Sequence, residues 1–150
     1  MSNSQNELKS KALSHPDDSG FLFVQEMLDG DPTAGINFDR LQYHPNLGYI
    51  IFEYLLCEEH QTVNPWTSHP KRYWNKNSRK FISLFKASKA LNATLFLVNY
   101  AKKGTKHEDK ILVIQVIDMA PTGITKEVIK KYTRSDFKAW FRKLNKESLY

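Results

Sequence analysis

Apolar positions follow two rhythms along this chain: a helical spacing near both ends and in one central stretch, and alternating or near-continuous runs elsewhere. Residues 20–30, "GFLFVQEMLDG", place Phe21, Val24, Met27 and Leu28 at the three-four spacing of a buried helical stripe, with Gly30 as its stop. A strand over residues 21–25 is the alternative. Phe38, Leu41 and Tyr43 predict a first strand, "HPNLG" has turn chemistry, and "YIIFEYLL" has the aromatic and β-branched content of a central strand. Residues 71–91 predict the longest helix, with Trp74, Phe81, Leu84, Phe85, Ser88 and Leu91 on one face and Pro70 in its first turn. "ATLFLVNYAK" and "KILVIQVIDM" read as strands buried on both faces, joined by the polar turn "KGTKHED". Residues 125–147 predict an amphipathic helix capped by Thr125. A break at "YTRSDF" would let Ser135 cap a second helix carrying Phe137, Trp140, Phe141 and Leu144. Such an order of elements is that of a mixed α/β domain.

With 150 residues, an apolar fraction of 41% and a charged fraction of 25%, the chain has the composition of one soluble globular domain. Residues 1–18 are polar and expected to be loosely ordered, leaving 19–150 as the domain. No apolar run approaches the roughly 20 residues that span a bilayer, and the polar N-terminus lacks the apolar core of a signal peptide. Cys57 stands alone, so no disulfide framework exists and a reducing cytoplasm is the expected compartment.

Charge changes this picture. The net charge is +6, yet residues 1–69 hold three basic residues against ten acids, and residues 70–150 hold nineteen against six. Residues 71–91 carry seven basic residues and no acid. A basic surface beside an acidic pocket suits a protein that holds a polyanion and sets metal ions against it. Solvated lysines on exposed helix faces are the plainer explanation.

Asp39 and Glu53 flank the turn of the predicted hairpin, and Glu53 interrupts a hydrophobic run where an unpaired carboxylate is costly to bury. Strand alternation could instead direct it to solvent. On one side of neighbouring strands the two acids can share Mg²⁺ (or Mn²⁺), which is satisfied by few carboxylates plus water and phosphate oxygens. Glu26 on the first helix could complete the site. Lys71, Arg72, Lys76, Arg79 and Lys86, interleaved with Trp66, Tyr73 and Trp74, form a candidate nucleic-acid contact. Trp66 and Trp74 also suit packing on the sheet. Cys57, His60 and His69 supply only three zinc ligands, with no second cysteine pair.

An aspartate, then a turn and a strand bearing glutamate, then a basic helix and a further hydrophobic strand resembles the PD-(D/E)XK nuclease superfamily over residues 20–118. The resemblance implies a restriction-endonuclease-like α/β core: a mixed central sheet flanked by helices, here with an added C-terminal helical segment. It implies a Mg²⁺-dependent nuclease acting on DNA, with Asp39 as the family's aspartate, Glu53 as the acid of its E-x-K element and Glu26 as the glutamate of its first helix. Phe38 stands where proline often precedes the aspartate, and Leu55 stands where the E-x-K lysine belongs. A lysine from the following helix substitutes in some members; Lys80, at the edge of the helix's apolar face, is the first candidate and Lys76 the second. Gln115 is the candidate from the last core strand. Many members dimerise to cut two strands, and the C-terminal helix offers an apolar surface for a homodimer. The small core suggests a structure-selective or mobile-element role. The alternatives are a non-catalytic nucleic-acid-binding protein on the same fold and a protein-interaction adaptor.

Overall fold

The computed structural model describes Leu13 and residues 18–149; the expectation about residues 1–18 falls mostly outside them. The chain forms two compact units, residues 1–35 and 36–150. The first contains α1 (Ser19–Leu28), which ends where Asp29 adopts a left-handed conformation with φ 48°. The expected helix is present, but its expected burial is not. None of its residues is buried, and Phe21, Leu22, Phe23, Val24 and Met27 all stay exposed.

Among the described residues of the second unit, β1 (Arg40–His44), β2 (Gly48–Leu56), α2 (Trp74–Ala90), β3 (Thr94–Tyr100), β4 (Lys110–Ala120), β5 (Gly123–Thr133) and α3 (Arg134–Glu147) follow in order. A short 3₁₀ turn, Pro70–Tyr73, leads into α2. The sheet is mixed, in the order β1-β2-β3-β4-β5. Strands β2 and β3 are parallel, joined through α2, and the other neighbours are antiparallel. Gly48, at φ 77°, supplies the left-handed residue that closes the three-residue hairpin loop between β1 and β2.

Residues 123–133 are a strand where a helix capped by Thr125 was expected. Ile124, Val128 and Tyr132 lie four apart, a spacing that satisfies the helical and the strand period alike. Their β-branched neighbours and the tight Pro121-Thr122 turn decide for a hairpin with β4. The break does fall at "YTRSDF", but Thr133 caps α3, its hydroxyl accepting from the Asp136 amide at 3.1 Å.

Side chains alternate across the sheet into two cores. Ile51, Leu55, Leu95, Leu97, Leu112 and Ile114 pack beneath Trp74, Phe81 and Leu84 of α2. On the other face Ile50, Phe52, Val98 and Val113 meet Tyr132 and Leu144, joined by Phe96, Phe137, Trp140 and Phe141. The apolar stripe of α3, expected as a surface for a second copy, is thus largely engaged by its own sheet. Phe52 is fully buried and lies 5.4 Å from both Phe96 and Phe141 and 6.0 Å from Trp140, ring centre to ring centre. Phe52→Ala should lower the unfolding free energy by about 3–5 kcal/mol, read as a drop in the urea midpoint with the slope unchanged.

Candidate functional site

Glu53 lies in the middle of β2 on the side that carries Ile51 and Leu55, under α2. It is only 5% exposed, and Lys80 of α2 reaches down to it with Nζ 2.9 Å from Oε1. Lys80 belongs to the turn of α2 that presents Phe81 to the core, which leaves its own stem at the edge of the packed face and its ammonium free to bend inward. Its side chain remains 45% exposed, so the pair has one partner inside and one at the rim.

Asp39 immediately precedes β1. Extending the β1–β2 register one step from Arg40↔Phe52 sets it opposite Glu53. Its Oδ2 accepts from the Tyr54 amide at 2.8 Å, continuing the strand ladder with a side chain. Burial, above all, raises the pKa of Glu53 from its ordinary 4.5. The Lys80 ammonium opposes that shift, while the like charge and hydrogen-bonding proximity of Asp39 add to it. The second oxygen, Oε2, is buried and receives no hydrogen bond from any donor among the described residues, and a proton on Glu53 would be shared with the Asp39 carboxylate. A half-satisfied buried carboxylate beside another carboxylate is an unfavourable arrangement that a cation would relieve.

Asp39 and Glu53 are the residues that could hold a hard divalent ion, which takes one or two carboxylates and fills its remaining positions with water and phosphate oxygens. Among the described residues no group of three or more His, Cys, Asp and Glu gathers to hold a metal, so protein ligands would be few. The zinc candidates disperse accordingly: His69 pairs with Glu127 at 2.8 Å, and Cys57 is buried with its thiol pushed up by desolvation.

Beside this cluster, beyond the C-terminal end of the parallel β2–β3 pair, lies a pocket of about 270 Å³ lined by Tyr54, Ser68, Arg72, Tyr73, Lys80 and Asn99. In open α/β sheets this is where ligands enter. Asn99 gives its amide hydrogens to the carbonyls of Pro65 and Ser68, which leaves Oδ1 buried and without a partner. Nothing in the sequence run "FLVNYAK" distinguishes Asn99 from a strand-end polar residue; its role depends on the loop that folds over it. Arg72 also lines a second hollow of about 400 Å³ with Lys71 and Lys76, so three of the expected nucleic-acid contacts adjoin one another. Arg79 and Lys86 are exposed on α2.

One candidate of the second unit does not join the cluster. Gln115 pairs with Phe96, which pairs with Phe52, so the register sets it on the α3 side of the sheet, opposite Glu53. The one-residue difference between Gln115 and Ile114 decides the face, and sequence alone does not reveal the register. Glu26 belongs to α1 of the N-terminal unit, where it is exposed. Trp66 is committed elsewhere, its indole N–H donating to the carbonyls of Ile111 at 3.1 Å and Tyr132 at 3.3 Å. Trp74 is buried and donates to Pro121 at 2.9 Å.

A raised pKa means that ionised Glu53 opposes folding. Below 4.5, where Glu53 is neutral folded and unfolded, the charge penalty is absent, and it grows as pH rises through the raised folded-state value. Glu53→Gln, measured without divalent metal, should therefore raise Tm at neutral pH, and the gain should vanish below pH 4.5. No helix among the described residues is long and apolar enough to cross a membrane. Compared with protein-family models, curated proteins and solved structures, the chain matches none.

Proposed function

We propose that this protein is a metal-dependent nuclease that hydrolyses DNA phosphodiester bonds, with Asp39 and Glu53 holding Mg²⁺ or Mn²⁺ and Lys80 assisting. The observation that carries this reading is the convergence of the three side chains: Lys80 on Glu53 at 2.9 Å, Asp39 beside them, and one Glu53 oxygen that no donor among the described residues meets. Its fold counterpart is a restriction-endonuclease-like core. In support, the acids sit on an antiparallel hairpin whose second strand continues through a basic helix into a parallel neighbour.

Each side chain has work to do in such a reaction. Asp39 and Glu53 concentrate negative charge at one point of a basic surface, which is where a cation bridging to phosphate is wanted. A divalent ion bound there supplies Lewis-acid charge that activates water and offsets charge on the leaving oxygen. Lys80 lines the adjoining pocket, so its ammonium faces the space a phosphate would occupy and stabilises added negative charge there. Arg72, Lys71 and Lys76 extend the positive wall and hold the flanking backbone. A lone buried Cys57 fits action in a reducing cytoplasm.

A second reading, a non-catalytic nucleic-acid-binding protein on the same fold, draws on the same contact. Lys80 already neutralises one Glu53 oxygen, and an ammonium can stand where a metal would. Cleavage separates the two. Supercoiled plasmid DNA in Mn²⁺ should be nicked by the wild type and left intact by Asp39→Ala and Glu53→Ala, while Lys80→Ala should be slower by about a hundredfold or more. Equal activity of all four proteins removes the assigned site, and inactivity of the wild type with salt-sensitive DNA binding favours the second reading.

A further inference from the structure

The side of the sheet that carries Glu53 is only partly roofed. Helix α2 packs over β3 and β4 and covers Ile51, Glu53 and Leu55 of β2, whereas on the same side Leu41 and the residues next to the β1–β2 turn stay exposed. There Tyr43 and Tyr49 are register partners, 57% and 40% exposed, with ring centres 5.1 Å apart in an edge-to-face pair. Leu41 lies between them and Asp39 on the same side and is 44% exposed. The opposite side of β1 has no such freedom: Arg40, Gln42 and His44 are bonded to Asn145, Ser148 and Glu147 at the end of α3. β1 therefore turns its polar residues inward to α3 and its apolar and aromatic residues outward, the reverse of an ordinary edge strand.

Burial in the core does not account for these rings, and their place along the strand is informative. At roughly 3.3 Å per residue, Tyr43 and Tyr49 stand about 13 Å from the Asp39–Glu53 row. That span equals about four stacked nucleotides at roughly 3.4 Å each, or fewer in a stretched strand. Along β2 the basic pocket begins at Tyr54 and Leu55, on one side of Glu53, and the tyrosines lie on the other. The basic helix flanks both, with Lys76, Arg79, Lys80, Lys86 and Lys89 and no acid.

We infer that the Tyr43–Tyr49 pair is a stacking platform for unpaired bases of the substrate, a few nucleotides from the phosphate held at Lys80. This rests on the nuclease reading for its position and deepens it by naming the substrate class: nucleic acid with a single-stranded tail or flap beside the cleavage point. An edge-to-face pair keeps an open ring face, and every base has a π surface to lay on it, so the platform accepts any sequence. The positive charge of α2 draws the strand backbone alongside, which a protein partner would not require.

The test is metal-free binding. Fluorescence anisotropy in EDTA compares a blunt duplex with the same duplex carrying a single-stranded tail. The wild type should bind the tailed form about tenfold more tightly, as base–aromatic stacking warrants. Tyr43→Leu/Tyr49→Leu should abolish that advantage and keep duplex affinity, whereas Tyr43→Phe/Tyr49→Phe should retain it. Equal affinity for both DNAs, an advantage untouched by the leucine variant, or no DNA binding at all overturns the inference. So does a concentration-dependent dimer that the leucine substitutions dissolve, which would give the surface to a second copy. Failure of wild-type cleavage with the tail preference intact would instead count against the nuclease reading alone.

Discussion

A single buried carboxylate organises this molecule's candidate chemistry. Glu53 occupies a position in β2 that hydrophobic packing alone would give to an aliphatic residue, between Ile51 and Leu55 and under the core-facing side of α2. Its charge is tolerated because Lys80 descends from α2 to meet one oxygen. Trp74, Phe81 and Leu84 seat α2 on the sheet, which brings Lys80 within reach. The pairing is incomplete, since no donor among the described residues meets Oε2 and Asp39 adds a second negative charge, so the site retains a demand for positive charge. Local stability is given up at the place where chemistry is proposed, as expected of a preorganised site.

The architecture around that point follows from strand geometry. The antiparallel turn through Gly48 brings Asp39 back beside Glu53, and the crossover through α2 lays β3 parallel to β2. A pocket therefore opens at the strand ends next to Lys80. Two faces of one sheet divide the labour. The α3 side is packed around Phe52 by an aromatic cluster, and the α2 side carries the acids, the lysine and the exposed tyrosine pair. Basic hollows and aromatic rings lie on opposite sides of Glu53 along β2.

Much of this was legible in the residues themselves. The hairpin, the basic helix and the two buried strands carry unambiguous periods, and a glutamate inside "YIIFEYLL" marks a buried charge whatever its role. Lys80 could be read as a neighbour of Glu53 because helical angle alone sets it at the border of the packed face. Other features were not legible, for physical reasons. Ile124, Val128 and Tyr132 satisfy the periods of helix and strand together, so only pairing with β4 decides between them. Gln115 belongs to the opposite side by a one-residue register that no local signal encodes. The apolar run at 21–28 has the spacing of a buried stripe, but periodicity alone does not decide burial, and no residue of α1 is buried.

The central claim is that Asp39 and Glu53 form a cation site left unsatisfied by Lys80. Thermal unfolding in a Mn²⁺ titration tests it without reference to any substrate, because an ion that binds only the folded state raises Tm by mass action. The account predicts a saturable rise for the wild type that is lost in both Asp39→Asn and Glu53→Gln. An unchanged wild-type Tm across the titration, or an equal rise in all three proteins, would contradict it.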